Sequence, residues 1–350
     1  MALLVVVALV SSCSGLIEGD MRHMVPLSDA AHSRLKAMGS SPAEAMIVRI
    51  FKEESTLEVW KHTRDDDYEL FKSYDICAWS GELGPKIREG DRQAPEGFYS
   101  ITPGLMNPRS NYYLAFNTGF PNKFDRVWGR TGADLMVHGD CSSRGCYAMT
   151  DAQIAEIYAL GRESFTGGQR KFELQIFPFR MTNENMLKHR KSEHIAFWRN
   201  IKEGYDAFEL SRKEVDWDVC EKRYTFFPAG GATDAAGACP AETTRPDLMA
   251  MVAAKQAADL SEFETASAEL DGKEAEKLKR EEEARIAAAE SAKRSAEFNA
   301  AVTETTGGIS EAVTGFFGNL FGAGSGGSGA PPSGEIVTNA PRPAPVLPRG

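Results

Sequence analysis

Short runs of β-branched and aromatic residues recur between positions 46 and 177, with glycine, proline and asparagine between them. Runs of this length bounded by turn residues are typical of β-strands. The first two, 46–51 and 57–60, flank the polar segment 52–55 and predict a hairpin. The pattern therefore predicts a fold that is mainly β with added helices (α+β), centred on residues 45–180.

Two segments with helical signals interrupt the predicted strands. Thr150-Asp151-Ala152-Gln153 has the form of a capping box, and the apolar positions after it predict a helix that stops at Gly161. Apolar residues near helical spacing predict a second helix over 183–205.

The composition changes after about residue 224. Residues 246–299 are rich in alanine, glutamate, lysine and arginine and carry only a thin apolar stripe, which predicts a solvated, charged helix. A coiled coil is the alternative, but a sustained heptad is hard to find. We expect these segments in chain order: signal peptide and lipobox 1–13, linker 14–43, catalytic domain 44–227, linker 228–245, charged helical segment 246–299, and Gly/Pro/Ser-rich, mostly disordered tail 300–350.

The N-terminus predicts export. Nine apolar residues, 2–10, precede Ser11, Ser12 and Cys13, as in a signal peptide that ends in a bacterial lipobox, although no basic residue precedes them. We expect Cys13 to be lipidated and to anchor the protein in the membrane; simple cleavage and a buried N-terminal strand are the alternatives. No apolar run is long enough for a transmembrane helix. The net charge of −10 argues against nucleic acid as a partner.

The stretch from Val137 to Thr150 carries the predicted chemistry. His138 ends a predicted strand, and a loop of small residues brings Cys146 close to the start of the capped helix. A thiolate is the reactive form of cysteine, and an imidazole can take its proton. Gly145 permits a tight turn, so that backbone N–H groups can face a developing oxyanion. The pattern predicts acyl transfer through a thioester.

Other interpretations of the cysteines remain open. His138, Cys141 and Cys146 could bind zinc, although no fourth ligand stands at a standard spacing. Cys141 and Cys146 could form a local disulfide, or the cysteines could be core residues. Because export permits disulfides, Cys220 and Cys239 are a further candidate pair.

Several motifs in order resemble the murein L,D-transpeptidase family, with its YkuD-type catalytic domain, and its YafK-like branch in particular. Ser143-Arg144-Gly145-Cys146 matches the S-x-G-C signature that follows a histidine on a strand. Residues 93–101 resemble the T-P-x-G-x-F strand entry of the family. Further matches lie at 81–86, 120–122, 125 and 129–132. The resemblance covers roughly residues 44–225 and implies the mainly β catalytic core of that family.

The resemblance implies roles for the loop residues. Cys146 would be the nucleophile and His138 the general base, while Gly145, Ser143 and Tyr147 would form the oxyanion loop. No cofactor or metal is implied. This chain departs from the family at Ala148, where typical members have an arginine. Arg130 and Arg144 are the candidates to bind a substrate carboxylate in its place, and a structural ion pair is the alternative for each.

The implied function is that of a peptidoglycan L,D-transpeptidase acting on tetrapeptide stems, in cross-linking, protein attachment or D-amino-acid exchange. The first alternative is a hydrolase that trims stems or detaches a wall-bound protein. The second is a non-catalytic wall-binding scaffold, against which the intact His138 and Cys146 argue. Transfer requires that water be kept from the thioester. Trp128, Tyr147 and Phe120 are candidates for that shielding, and ordinary packing is the alternative for each. We expect a periplasmic lipoprotein of a Gram-negative bacterium.

Overall fold

The structure is a computed structural model that describes residues 21–143 and 145–320. Cys13, Arg144 and the tail beyond residue 320, each the subject of a prediction above, lie outside the described residues. The helices are α1 (Asp29–Ala37), α2 (Lys123–Val127), α3 (Asp151–Thr166), α4 (Asn183–Lys188), α5 (Ile195–Ser211) and α6 (Pro246–Leu320). The strands are β1 (Met46–Phe51), β2 (Thr56–His62), β3 (Tyr68–Asp75), β4 (Ala78–Trp79), β5 (Gly97–Ile101), β6 (Met106–Asn107), β7 (Ala115–Asn117), β8 (Met136–His138), β9 (Tyr147–Ala148), β10 (Phe172–Phe177), β11 (Trp217–Cys220) and β12 (Arg223–Phe226).

The larger sheet has the strand order β3-β2-β1-β10-β5. The predicted hairpin is confirmed, because β1 and β2 pair antiparallel around the turn at residues 52–55. β1 also pairs in parallel with β10, and every residue of both strands is buried. Burial along a whole strand is expected where both faces of a sheet are covered, and the polar side chains buried here include Arg49, which donates a hydrogen bond to Gln175 at 2.9 Å.

The smaller sheet has the strand order β4-β9-β8-β7-β6, and β11 pairs with β12 in a separate ribbon. Within the smaller sheet β8 and β9 run parallel, and the other neighbours are antiparallel. The mixed sheets and the helices confirm the predicted α+β class.

Two layers of core cover the two faces of the larger sheet. On one face Val48 and Ile50 pack with Val137 and Tyr147 of the smaller sheet and with Ile157 of α3. On the other face lie aromatic residues of the sheet and of α5, namely Phe51, Phe98, Phe177, Trp198, Tyr205 and Phe208. Fully burying one apolar side chain stabilises the fold by about 1.5–3 kcal/mol. The buried residues of the first face therefore hold the smaller sheet against the larger one.

The capping box of α3 is confirmed. The Thr150 hydroxyl accepts a hydrogen bond from the Gln153 N–H, and the Gln153 side chain accepts one from the Thr150 N–H. The predicted stop at Gly161 is wrong, since α3 continues to Thr166. Gly161 instead sits inside the helix, where a Cβ atom would lie only 3.4 Å from Met106 and from Phe172. Its small size serves helix–sheet packing rather than termination.

The predicted single helix over 183–205 is two helices. α4 ends at Lys188, turns occupy 189–194, and α5 begins at Ile195. Lys188 and His189, at the end of α4, both reach the carboxylate of Glu53 on the turn after β1, at 2.6 and 3.1 Å. This contact ties the end of α4 to the larger sheet.

The described residues divide into two compact units, with the boundary between Gly272 and Lys273. In the first unit α6 buries Leu248 and Val252, and Asp259 pairs with Lys202 of α5 at 2.6 Å. In the second unit the described side chains of α6 are exposed and form i,i+4 pairs such as Arg280–Glu276. Among the described residues no helix has both the length and the apolar character that a membrane span needs.

Candidate active site

The register of two short strands places His138 and Cys146 on the same face of the smaller sheet. β8 and β9 pair with Val137 opposite Tyr147 and His138 opposite Ala148. Cys146 directly precedes β9, and its Sγ accepts a hydrogen bond of 3.4 Å from the N–H of Met136. Cys146 is therefore opposite Met136 in the same register. Side chains two residues apart share a face, so His138 and Cys146 lie on one face with Cα atoms about 8 Å apart.

His138 is buried and has a defined proton position. Its ring packs 4.8 Å from that of Tyr112, and its Nδ1 lies 2.6 Å from the carbonyl oxygen of Gly139. Because a carbonyl can only accept, Nδ1 carries the proton, which leaves the lone pair on Nε2. Burial lowers the pKa of His138, against smaller opposing effects of that hydrogen bond and of Asp140. The ring is thus neutral at neutral pH and can accept a proton.

Cys146 is the free cysteine of the described residues and is half-buried. Burial raises the pKa of its thiol, and the charge of Asp134 raises it further. The Met136 N–H and the ammonium of Lys86 act in the opposite direction. At rest both the thiol and the imidazole are therefore neutral. Such a pair requires the imidazole to take the proton as the sulfur attacks, rather than before.

The loop before Cys146 is shaped by Ser143 and Gly145. The Ser143 hydroxyl accepts a hydrogen bond from the Cys146 N–H at 3.0 Å and donates one to the Cys146 carbonyl at 2.5 Å. Gly145 has φ of 126°, a conformation that favours glycine. In this arrangement the Cys146 N–H is engaged with Ser143, and it would have to exchange that partner to serve an oxyanion.

Tyr147 contributes to the loop through its backbone only. Its side chain is fully buried, and its hydroxyl donates to the carbonyl of Pro95 at 2.7 Å. Tyr147 and Phe120 follow the packing alternative, since both side chains belong to the core beneath the sheet. Trp128 is exposed but donates its indole N–H to the carbonyl of Lys222 at 2.9 Å. These aromatic residues are therefore used in packing and anchoring.

Two disulfides decide between the interpretations of the cysteines. Cys77 pairs with Cys141, which excludes a Cys141–Cys146 disulfide and removes Cys141 as a zinc ligand. Cys220 pairs with Cys239, as predicted. In the part of the chain that the structure describes, no group of three or more histidine, cysteine or acidic side chains is placed to hold a metal. The Cys77–Cys141 bridge fixes the loop that joins His138 to Cys146 to the edge strand β4.

Of the two arginines predicted to bind a substrate carboxylate, the structure describes only Arg130. Arg130 forms a buried ion pair of 2.9 Å with Asp125, and its guanidinium packs over Phe124. This is the structural alternative named above, and the pairing leaves Arg130 poorly placed to take a substrate carboxylate. Arg144 lies outside the described residues. Ala148 is fully buried in β9, between Ala78 and His138 of the neighbouring strands, where an arginine side chain would not fit without rearrangement.

Four residues near the thiol were not assigned a role from the sequence. Tyr112 covers the His138 ring, and Asp134 and Lys86 influence the thiol electrostatically. The backbone of Arg92 packs against Gly145. Of the four, only Lys86 belongs to a segment, 81–86, that the sequence matches to the L,D-transpeptidase family. The others come from loops distant in sequence, which no local pattern connects to Cys146.

Lys86 is held by an ion pair. Its ammonium group is buried and lies 2.5 Å from Asp91. Burial alone would raise the pKa of Asp91, but backbone N–H groups and Lys86 hold it at about 2. The charge of Lys86 is therefore balanced within the fold, while its field still reaches the thiol.

Comparison with known proteins shows strong similarity to two curated proteins. The Escherichia coli (strain K12) protein named "Putative L,D-transpeptidase YafK" is 44% identical over 213 residues, which cover 61% of this chain and 83% of that protein. The protein of the same name from Escherichia coli O157:H7 gives the same figures. No protein-family model matches the chain.

Among solved structures, the helical cell shape determining protein Pgp2 from Campylobacter jejuni is 24% identical, with a TM-score of 0.29, and the match covers 44% of this chain and 55% of that one. Bd1075 from Bdellovibrio bacteriovorus is 21% identical, with a TM-score of 0.27, and the match covers 41% of this chain and 51% of that one.

Proposed function

Because this chain belongs to the L,D-transpeptidase family, we propose that it is a peptidoglycan-modifying enzyme that forms a thioester between Cys146 and a stem peptide. The observation that carries the proposal is the pairing on one sheet face of a free thiol with a neutral imidazole whose Nε2 is unprotonated. A cysteine nucleophile and its general base must face the same space, and proton transfer then requires His138 Nε2 to come within hydrogen-bond reach of Sγ. It also argues against a scaffold with a decayed site.

The proposed reaction has two acyl transfers. The Cys146 thiol gives its proton to His138 Nε2 while Sγ attacks the carbonyl carbon of the diamino-acid residue. The bond from that carbon to the nitrogen of the terminal D-alanine then breaks, and the imidazolium returns the proton to the departing amine. An acceptor amine attacks the thioester, loses its proton through His138, and releases Cys146 as a thiol.

The oxyanion of each tetrahedral intermediate needs hydrogen-bond donors. Backbone N–H groups of the loop 143–147 are the candidates, and Gly145 allows the turn that would aim them. The Cys146 N–H can serve if Ser143 releases it, which makes Ser143 a residue that holds the loop at rest. A donor in such a site is worth about 10²–10³ in rate.

A second candidate function, hydrolysis, is supported by the position of the aromatic residues. Phe120 and Tyr147 are core residues, and Trp128 is anchored to Lys222. These three side chains therefore do not shield a thioester on Cys146 from water. On the same site water would then release a trimmed stem or detach a protein joined to the wall.

One experiment separates these activities. Purified protein is incubated with tetrapeptide muropeptides and D-methionine, and the products are separated by mass; Cys146→Ala is the control. Exchange product that exceeds tripeptide supports the transferase. Tripeptide alone over a wide range of D-methionine supports the hydrolase, and release of a wall-joined peptide supports the detaching variant. Turnover by Cys146→Ala would contradict the whole assignment.

We propose that the protein acts in the periplasm of a Gram-negative cell, where peptidoglycan lies, and that Cys13 is lipidated. Stable attachment needs more than one acyl chain, as a bacterial lipoprotein carries. The test is Cys13→Ser. The anchor is supported if this change releases the protein from the membrane fraction and changes its mature mass, and it is rejected if neither changes.

A further inference from the structure

A cavity of about 310 Å³ lies at the edge of the larger sheet. Ser100 of β5 and Glu173 of β10, which are paired in the sheet, line it from one side. The segment between α5 and β11 lines it from the other side, with Val215 among its residues. Leu174, the next residue of β10, belongs to the core shared with the smaller sheet, and side chains alternate between the two faces of a strand. The larger sheet therefore separates this cavity from the Cys146 site.

Glu173 has a buried oxygen atom without a partner. The residue is only 3% exposed. Its Oε2 accepts a hydrogen bond from the Val215 N–H at 3.1 Å, whereas no described residue forms a hydrogen bond with Oε1. A buried oxygen of this kind is costly in either protonation state, since a carboxylate needs a donor and an acid needs an acceptor. Because Glu173 lines the cavity, a ligand held there can supply the missing partner.

Negative charge predominates around this oxygen. Glu214 and Asp216, which are exposed, also line the cavity, and within the described residues neither side chain forms an ion pair. Of the described residues that line the cavity, only Lys171 is basic. Three carboxyl groups thus share one ammonium group, and an anionic ligand would meet repulsion. The cavity therefore favours a cation.

The arrangement of the carboxyl groups selects the kind of cation. In the described parts of the chain, no three acidic, histidine or cysteine side chains are placed to hold a metal ion. One compact ion therefore cannot satisfy Glu173, Glu214 and Asp216 together. A longer molecule with an ammonium group near each end can do so. The indole of Trp217 also lines the cavity, and aromatic rings attract alkylammonium groups.

We propose that this cavity is a binding site for a linear aliphatic diamine or polyamine. One primary ammonium group donates a hydrogen bond to Glu173 Oε1, and a second lies beside the exposed carboxylates of Glu214 and Asp216. The cavity volume is at the lower end of the range for small-molecule sites, which suits a slender chain. The site is separate from Cys146 and does not depend on the reaction proposed above.

The charges around Glu173 give binding a measurable signature. Burial, with a further contribution from the charge of Glu214, raises the pKa of Glu173 to about 8. The Val215 N–H, the Gln175 side chain and the charge of Arg49 act in the opposite direction. Without a ligand the Glu173 carboxyl is therefore mostly protonated at neutral pH. An ammonium group favours the carboxylate, so binding at neutral pH should release up to about one proton.

The test is titration calorimetry on the full-length protein at about 0.15 M salt, which screens exposed charges. Butane-1,4-diamine and spermidine are compared with butylamine, which has a single ammonium group, and with calcium chloride. We expect the diamine and spermidine to bind at least about 10-fold more tightly than butylamine, as expected for one further charge-assisted hydrogen bond, and calcium not to compete with them. The heat of diamine binding should also change with the ionisation enthalpy of the buffer, because Glu173 loses its proton.

Variants assign the binding to this cavity. Glu173→Gln keeps the shape of the side chain and removes its charge, so it should weaken diamine binding about 10-fold or more and remove the buffer dependence. Asp216→Asn should weaken binding of the diamine but not that of butylamine. Because Asp216 is exposed, this second variant does not perturb the buried strand. Glu69→Gln, which removes an exposed carboxylate on β3, is the matched control and should change neither.

Alkylation of Cys146 by iodoacetamide separates this cavity from the catalytic site. Diamine binding should be unchanged in the alkylated protein, because the two sites lie on opposite faces of the larger sheet. Loss of binding after alkylation would place the diamine at Cys146 and overturn the inference. The inference is also overturned if the diamine does not bind, if butylamine binds equally well, or if the folded Glu173→Gln and Asp216→Asn variants bind the diamine as the unmodified protein does.

Discussion

The Cys77–Cys141 disulfide offers a direct test of how the site is held. It joins the residue before β4 to the loop 139–145, whose two ends are His138 and Cys146. Replacing both cysteines by alanine removes the bridge without leaving a free thiol. The Cys220–Cys239 bridge, replaced in the same way, is the matched control, because it closes a loop in the chain segment after β11.

The expected costs in stability are similar for the two bridges. A sequence separation of 64 residues corresponds to about 4 kcal/mol of loop-closure free energy. A separation of 19 residues corresponds to about 3 kcal/mol by the same relation. Urea unfolding should therefore show both double variants folded but less stable by comparable amounts.

Their effects on activity should differ. Without the first bridge, the described part of the loop is still held by hydrogen bonds, such as that from the Cys141 N–H to the Met149 carbonyl at 3.2 Å. A misplacement of about 1 Å at a reacting group can cost on the order of 10²-fold in rate. We expect the Cys77→Ala/Cys141→Ala variant to lose 10- to 100-fold in tripeptide or exchange product.

The control variant should keep its rate under conditions where both proteins are fully folded. Alkylation of Cys146 by iodoacetamide provides a second readout that needs no peptidoglycan, and it should change only when the first bridge is removed. Equal turnover and equal alkylation in the two variants would show that the bridge does not position the loop.

Three further predictions concern single side chains. His138→Ala should lose about 10²-fold or more in muropeptide turnover with its fold unchanged by circular dichroism, as expected for loss of a general base; a smaller loss would contradict the role. Burial raises the pKa of Glu173 from 4.5 to about 8. The folded state therefore keeps a proton that the unfolded state loses, and stability should fall between pH 4.5 and 8 by up to about 1.4 kcal/mol per pH unit; Glu173→Gln should flatten that fall in thermal unfolding, and an unchanged profile would exclude the effect. Lys52 and Glu96 form a fully buried ion pair of 2.9 Å, so Lys52→Met should cost about 3–5 kcal/mol in urea unfolding because the Glu96 carboxylate stays buried without its counter-charge; a cost below about 1 kcal/mol would refute this.

Features encoded by neighbouring residues could be predicted from the sequence. The β1–β2 hairpin follows from two apolar runs and the polar turn between them, and the start of α3 follows from its capping box. The approach of His138 to Cys146 is also local, because only the loop 139–145 separates them. Such signals depend on interactions within a few residues, which a single sequence displays.

Features that depend on distant partners could not be predicted. The sequence predicts that Gly161 ends the helix. Its actual role depends on Met106 and Phe172, which come from other parts of the chain. The sequence makes Arg130 a candidate to bind a substrate carboxylate. Only the fold brings Asp125 and the aromatic rings against the Arg130 guanidinium. The Cys77–Cys141 bridge spans 64 residues, and spacing does not determine connectivity.

The neutral resting state of Cys146 affects how quickly its thiol is oxidised. Oxidation by peroxide proceeds through the thiolate and leads, beyond the sulfenic acid, to products that thiols do not reverse. A thiol whose pKa is raised by burial presents little thiolate to an oxidant. Burial thereby slows oxidative damage to Cys146 between encounters with substrate.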